Sequence, residues 1–305
     1  MLTHNVARIR LIVMSLAIAL LLRTASFAAA NINVEYVQKS VVFLYAADAS
    51  GNPGEAVGTG FIVQVPLTSD PTQSYRLLVT ARHMVDPKWA GCSNQSPSKL
   101  FLRVNKKNFD STKDGVGTVD LELPRVMNGN WFLNPDNEVD AVVAILDAKE
   151  IGNYDVEGVK ISDFPTAEEI KTFKAGDDVV SAGLLPGASG KKRNYPIFKF
   201  GHISSIPEES ADAPKCGQEP QTHSLKVWFI AASLVPGNSG SPIYFEPTII
   251  GGLVHRPVLL GVQSISFLPW DVAGMTPVSY IYEIIETMKQ LNNADLTRNV
   301  QPKKP

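Results

Sequence analysis

The sequence predicts an all-β protein made of two successive sets of strands and closed by one helix. Three observations carry this. Short apolar runs separated by turn-forming residues fill positions 40–265, the pattern of a sandwich or barrel. Helical periodicity is scarce over the same stretch. A segment at 147–175, with Ile151-Gly152-Asn153, a Pro165 break and a short charged helix around 167–173, divides the runs into two sets.

In chain order, residues 1–30 come first and stand apart. Arg8 and Arg10 precede an apolar run at 11–22, and Ala28-Ala29-Ala30 follows a small-residue stretch, with Ser26-Phe27-Ala28 a second possible cut. This is the form of a secretory signal peptide. The run is shorter than the roughly 20 apolar residues a membrane span needs, and Arg23 ends it. The first set of strands is expected at 40–45, 60–65, 76–80, 100–104, 118–123 and 141–146. The second is expected at 178–183, 198–204, 225–231, 241–245 and 259–265. Between its second and third members, 206–224 is rich in Pro and polar residues and is expected to be a surface loop. Ile281, Ile284, Ile285, Met288 and Leu291 then recur at helical spacing, a stripe suited to packing on a sheet. The expected division is 1–30 signal, 31–150 first module, 151–175 linker, 176–272 second module, 273–293 helix and 294–305 tail.

Composition excludes several classes. With 44% hydrophobic and 19% charged residues in 305, the chain can bury a real core and is not a disordered polymer. Net charge is −2. Removing residues 1–30, which hold three Arg and no acid, leaves 25 basic against 30 acidic residues, or −5. No basic stripe for nucleic acid remains, and no stable membrane insertion is expected after signal cleavage. Cys92 and Cys216 are expected to pair in an exported chain. Closing a loop of that length contributes about 4–5 kcal/mol in the chain-entropy account, less any strain. No Cys or His cluster has metal-ligand spacing, so neither metal nor cofactor is expected.

Chemistry concentrates at three places. Val235-Pro236-Gly237-Asn238-Ser239-Gly240-Ser241-Pro242 is a glycine-punctuated turn between apolar strands. A nucleophilic hydroxyl needs such exposure on a tight bend, with backbone N–H groups nearby to meet a developing oxyanion. Segment 237–239 (Gly237, Asn238, Ser239) is the candidate oxyanion hole, with the Gly237 and Ser239 N–H groups as donors. His83 stands just past the β-rich run ending at Thr80, where a rigid element can hold a base. His4, His202, His223 and His255 lie in no comparable motif. Asp140 opens the apolar run 141–146. A carboxylate at the mouth of a buried strand needs a partner, and an imidazole N–H is suitable. Asp136 and Asp147 are weaker rivals, one in an Asn-Pro-led loop and one at the strand's far end.

Gly58-Thr59-Gly60-Phe61-Ile62-Val63, Thr80-Ala81-Arg82-His83, Asp140-Ala141-Val142-Val143 and Gly237-Asn238-Ser239-Gly240-Ser241-Pro242, in this order, resemble the trypsin-like serine peptidases, most closely their bacterial exported and HtrA-like branch without a PDZ domain. The likeness spans about 37–288. It implies two antiparallel six-stranded β-barrels with a C-terminal helix. It also implies His83, Asp140 and Ser239 as catalytic residues in a cleft between the barrels, and polypeptides as substrates. Leu260-Gly261-Val262-Gln263-Ser264-Ile265-Ser266 is similar to the family's substrate-lining strand, so Ser264 is expected to support Asp140, and Ile265 and Ser266 to pair with substrate. Ser233, six residues before Ser239, stands where the family reads the substrate side chain. Since it is not Asp, a small or apolar side chain is expected there. Asn238 replaces the Asp of animal digestive members and no Ile-Val-Gly-Gly start follows the signal, so the oxyanion turn is expected to form without zymogen cleavage. Ser241 replaces the usual second Gly.

The expected function is a secreted or periplasmic serine endopeptidase. The competing reading is a peptide- or protein-binding module on the same fold. An α/β-hydrolase esterase is excluded by the chain order His, Asp, Ser and by Ser241 in place of the last elbow glycine. Ser189-Gly190-Lys191-Lys192 matches a Ser-x-x-Lys pattern by letters only, and the neighbouring glycines lack P-loop spacing.

Overall fold

The computed structural model describes residues 34–91, 99–123, 131–185, 187–214, 222–235, 237–246, 249–250, 253–254, 258–267 and 270–299. The proposed signal peptide, Cys92 and Cys216 lie outside them. Among the described residues no helix is long and apolar enough to cross a membrane.

A short helix, α1 (Val34–Ser40), leads into β1 (Val41–Ala47), β2 (Pro53–Pro66) and β3 (Ser74–Thr80). A helical turn, α2 (Arg82–Val85), precedes β4 (Leu100–Asn105), β5 (Thr118–Leu123), β6 (Trp131–Leu133) and β7 (Val142–Leu146). Next come α3 (Ala148–Ile151), β8 (Val159–Lys160) and α4 (Ala167–Ile170). These strands form one sheet in the order β5-β4-β1-β2-β3-β7-β6, with β8 parallel to β2. The first module is therefore an eight-stranded sheet whose described order does not close, where six barrel strands were expected. The expected linker supplies one of those strands.

Period-two alternation explains why its strands read as continuous apolar runs. Val42, Leu44, Ile62, Leu78 and Val142 face one core with Leu102 and Trp131. Their neighbours Val41, Phe43, Phe61, Val63, Val79 and Val143 face a second core. That second core also receives Val180, Tyr244, Leu259 and Ile284 from later in the chain. The sheet is thus buried on both faces, and one face is the junction with the second module.

The second module begins with β9 (Asp178–Gly183) and β10 (Ile197–Ser205), then a hairpin of β11 (Ala211–Pro214) and β12 (Thr222–Leu225). It continues through β13 (Trp228–Ala231), β14 (Pro242–Phe245), the small pair β15 (Ile249–Ile250) and β16 (Leu253–Val254), β17 (Val258–Phe267) and β18 (Val272–Pro277). The order β10-β13-β18-β17-β14-β9 closes a six-stranded antiparallel barrel. This is the all-β, barrel-plus-helix arrangement the resemblance implied. Residues 272–277 form β18 where helix was expected from 273, and helix α5 runs Val278–Asn299. Ile281, Ile284, Ile285 and Met288 are fully buried, whereas Leu291 is 53% exposed because the helix has by then passed beyond the core. Each of the four buried side chains contributes about 1.5–3 kcal/mol by removing apolar surface from water.

Candidate active site

The site forms where the ends of β3, β7 and β17 meet the turn before β14. Thr80 ends β3, and His83 sits one residue into α2. Asp140 lies just before β7, which pairs with β3 from Thr80 against Val142 onward. That pairing brings the two residues together although 57 positions separate them. The Asp140 carboxylate is held at both oxygens by one residue: Oδ1 accepts the His83 backbone N–H at 3.0 Å and Oδ2 lies 2.8 Å from Nδ1. Asp140 is buried, and His83 keeps a fifth of its side chain exposed. Nδ1 is therefore the protonated nitrogen, and Nε2 is left as the acceptor. Burial pulls the imidazole pKa down, but the Asp140 charge and hydrogen bond outweigh it and hold it above the ordinary 6.5. Arg82 and Trp89 steady the same turn, Arg82 Nη1 donating to Asn137 Oδ1 and Trp89 Nε1 to Asn137 O.

Ser239 comes from the other module. Its hydroxyl donates to Ser264 O at 3.4 Å. Among the described residues no hydrogen bond joins it to His83 Nε2. The two segments nonetheless flank one glycine: a Cβ on Gly58 would lie 2.4 Å from Met84 Cε and 3.2 Å from Ser239 O. Thr59 N–H donates to Ser239 O at 2.9 Å, and Thr59 Oγ1 donates to Gly237 O at 3.0 Å. Gly240 has φ +87°, and a Cβ there would lie 1.9 Å from Thr59 O. The motif 58–60 is thus the bed on which the Ser239 turn rests. The Ser241 hydroxyl occupies the space opened by Gly183, where a Cβ would lie 1.9 Å from Ser241 Oγ, and it is buried there without a hydrogen-bond partner among the described residues.

Gly237 is left-handed at φ +95°, as a glycine permits. Among the described residues neither the Gly237 nor the Ser239 N–H has an acceptor within the chain. The Asn238 N–H is committed to Val235 O at 3.0 Å, so of the predicted segment it is not a free donor. The Asn238 side chain is buried, accepts from Val235 N–H at 2.9 Å and donates to Leu184 O at 2.7 Å.

The remaining predicted residues are placed as follows. Ser264 does not touch the Asp140 carboxylate. Its hydroxyl pairs with Thr276 Oγ1 at 2.5 Å, and Thr276 Oγ1 donates to the Asp140 backbone O at 3.4 Å. The support expected of Ser264 is thus relayed to the backbone through Thr276, which no motif flagged. Ser266 Oγ accepts from Gln263 Nε2 at 3.1 Å. Ile265 is half-buried and packs against the cluster of Ala213, Leu225 and Val227. The β11–β12 hairpin in the supposed loop therefore walls this side of the site, and its His223 stacks on Trp89 at 5.6 Å between centroids. Ser233 is exposed, and its Oγ donates to Asp271 Oδ1 at 3.0 Å. An acid absent from position 233 is thereby delivered to it from the turn before β18.

No family model matches the chain, and no curated protein matches it. Solved structures similar to it include the MamO protease domain of Magnetospirillum magneticum, at 13% identity and TM-score 0.49, covering 81% of this chain and 96% of that one. The Rv3671c protease of M. tuberculosis in its active form is 16% identical, with TM-score 0.49 and 85% of each chain covered. A thermostable serine protease, AL20, from an extremophilic microorganism is 15% identical with TM-score 0.47, covering 83% of this chain and 98% of that one.

Proposed function

We propose that this chain is an exported serine endopeptidase acting through His83, Asp140 and Ser239. The observation that carries the reading is the Asp140–His83 pair, closed at both carboxylate oxygens, together with a Ser239 turn that among the described residues leaves two N–H groups without acceptors. His83 Nε2 takes the Ser239 hydroxyl proton as Oγ attacks a peptide carbonyl. The Gly237 and Ser239 N–H groups receive the oxyanion. Collapse breaks the C–N bond, and His83 gives its proton to the leaving amine. Water then attacks the acyl-enzyme with His83 again as base, releasing the acid and restoring Ser239. Asp140 holds the Nδ1–H tautomer and stabilises the imidazolium. For this step the Ser239 hydroxyl must turn from Ser264 O toward Nε2. Export rests on residues 1–30, and a Cys92–Cys216 bond follows from that compartment.

The test is labelling by a fluorophosphonate probe. The wild type is expected to take up one phosphonyl group and Ser239→Ala none. The second reading, a binding module, is favoured by the Ser239 hydroxyl pointing to Ser264 O. It gains if soluble, folded wild type does not label.

A further inference from the structure

We propose that Lys199 is a positioning residue whose ammonium holds the oxyanion turn in its working shape. The inference rests on the peptidase reading and deepens it.

Lys199 lies on β10, opposite Ser181 of β9, and is half-buried. Its Nζ donates to two oxygens from opposite ends of the turn that leads to Ser239. One is Ser233 O, at a short contact, and the other is Asn238 Oδ1 at 3.2 Å. No carboxylate lies within ion-pairing distance of it among the described residues. Burial alone draws its pKa below the usual lysine value. A partly desolvated cation without a counter-ion is costly and persists where charge-assisted hydrogen bonds offset the loss of water.

Those bonds have a geometric consequence. Ser233 O and Asn238 Oδ1 are both electron-rich, and the turn brings them to one point. A neutral environment would drive them apart; a shared ammonium draws them together. Asn238 is the hinge of the turn. Its Oδ1 also receives Val235 N–H, its Nδ2 is fixed to Leu184 O, and its own N–H closes onto Val235 O. With Asn238 held, the peptide units on either side leave the Gly237 and Ser239 N–H groups without acceptors among the described residues. Among the described residues no hydrogen bond joins Lys199 to Ser239. Lys199 acts by keeping the carboxamide from rotating and the donors from turning inward.

The experiment compares wild type with Lys199→Met, which keeps the aliphatic stem and removes the charge, and with Lys199→Arg, which keeps the charge. Steady-state cleavage of a peptide substrate and hydrogen exchange at the Gly237 and Ser239 amides are read together. Lys199→Met is expected to lose about ten-fold or more in kcat, since a misplaced oxyanion donor acts on the transition state. KM should stay within about two-fold, and exchange at both amides, which have no acceptor among the described residues in the wild type, should slow as they turn inward onto chain oxygens. Lys199→Arg is expected to recover most of the loss, because its fork can meet both oxygens. Unchanged kcat and exchange in a folded Lys199→Met would overturn the role while leaving the peptidase reading intact. A rise in KM at constant kcat would also overturn it, by making Lys199 a substrate contact. If wild type proves inert to substrate and probe, the peptidase reading falls and the exchange comparison alone decides the role. If Lys199→Met does not fold, Lys199→Gln is measured in its place against the same expectations.

Discussion

The two halves of the candidate site are built differently. On the His83 side, a buried carboxylate is gripped twice by one residue, at 2.8 and 3.0 Å, at the end of two paired strands. On the Ser239 side, the hydroxyl makes a single long bond of 3.4 Å. The surrounding turn is placed by glycines, a threonine and a cation rather than by regular structure. His83 is locked by side-chain chemistry and Ser239 by backbone fit. A lock can be weakened by changing one functional group, whereas a close backbone fit is broken most directly by adding atoms.

The largest effect is expected on the locked side. Asp140→Asn keeps the shape but leaves the imidazole without the carboxylate that sets its tautomer. It should fold normally and lose about 10⁴-fold in kcat/KM, as in similar triads. Near-normal turnover would remove Asp140 from the mechanism. On the fitted side, Gly240→Ala drives a Cβ to 1.9 Å from Thr59 O at a left-handed φ. It should cost about 2–4 kcal/mol in denaturant unfolding, by strain and overpacking, and separate the turn from its bed. An unaltered midpoint with full activity would show that the turn is not held by close approach. For scale, Ile284→Ala in the shared core should cost about 2–5 kcal/mol while sparing the chemistry of the remaining folded protein. Thr276→Val removes the relay from Ser264 to the Asp140 backbone. It is expected to lower kcat by a few-fold and stability by about 1 kcal/mol; loss on the scale of Asp140→Asn would mean the relay shares the carboxylate's role.

The smallest effect is a pH shift. Catalysis needs neutral His83, and its pKa is raised. The acid limb of kcat/KM should therefore have its midpoint above 6.5, the ordinary value. The stability consequence has the opposite sense. A folded pKa above the unfolded one means that the protonated imidazole adds stability that is fully present below the unfolded value. That stability is lost as pH rises through the folded one. Thermal melts of Ser239→Ala against Ser239→Ala with His83→Gln, taken between about pH 5 and 8, should diverge toward the acid end. Divergence toward the alkaline end would reverse the sign assigned to the Asp140 contact.

The unequal construction also governs what could be read in advance. The strands around His83 and Asp140 are apolar on both faces, so runs such as 76–80 and 141–146 stood out, and their polar ends marked the site. The turn at Ser239 was legible because its glycines are local. The helical stripe was legible through Met288 but not at Leu291, because periodicity does not say where a helix leaves the core. Strand β18 was hidden because Val272-Ala273-Gly274-Met275-Thr276-Pro277 lacks polar–apolar alternation, both faces being covered. Thr276, Asp271 and Lys199 were illegible for a simpler reason. They act on residues 12, 38 and 34–39 positions away, and nothing local distinguishes them from other strand or turn residues. The β11–β12 hairpin was masked by its polar surface, its few apolar residues being spent on packing against Ile265 and Trp89.

The most direct measurement is the rate at which Ser239 is phosphonylated, followed by intact mass in wild type and in His83→Ala. The account predicts a single adduct mapped to Ser239 and a rate lower by several orders of magnitude without the imidazole. A folded His83→Ala protein that labels at Ser239 as fast as wild type would contradict it, because the hydroxyl would then owe nothing to the base.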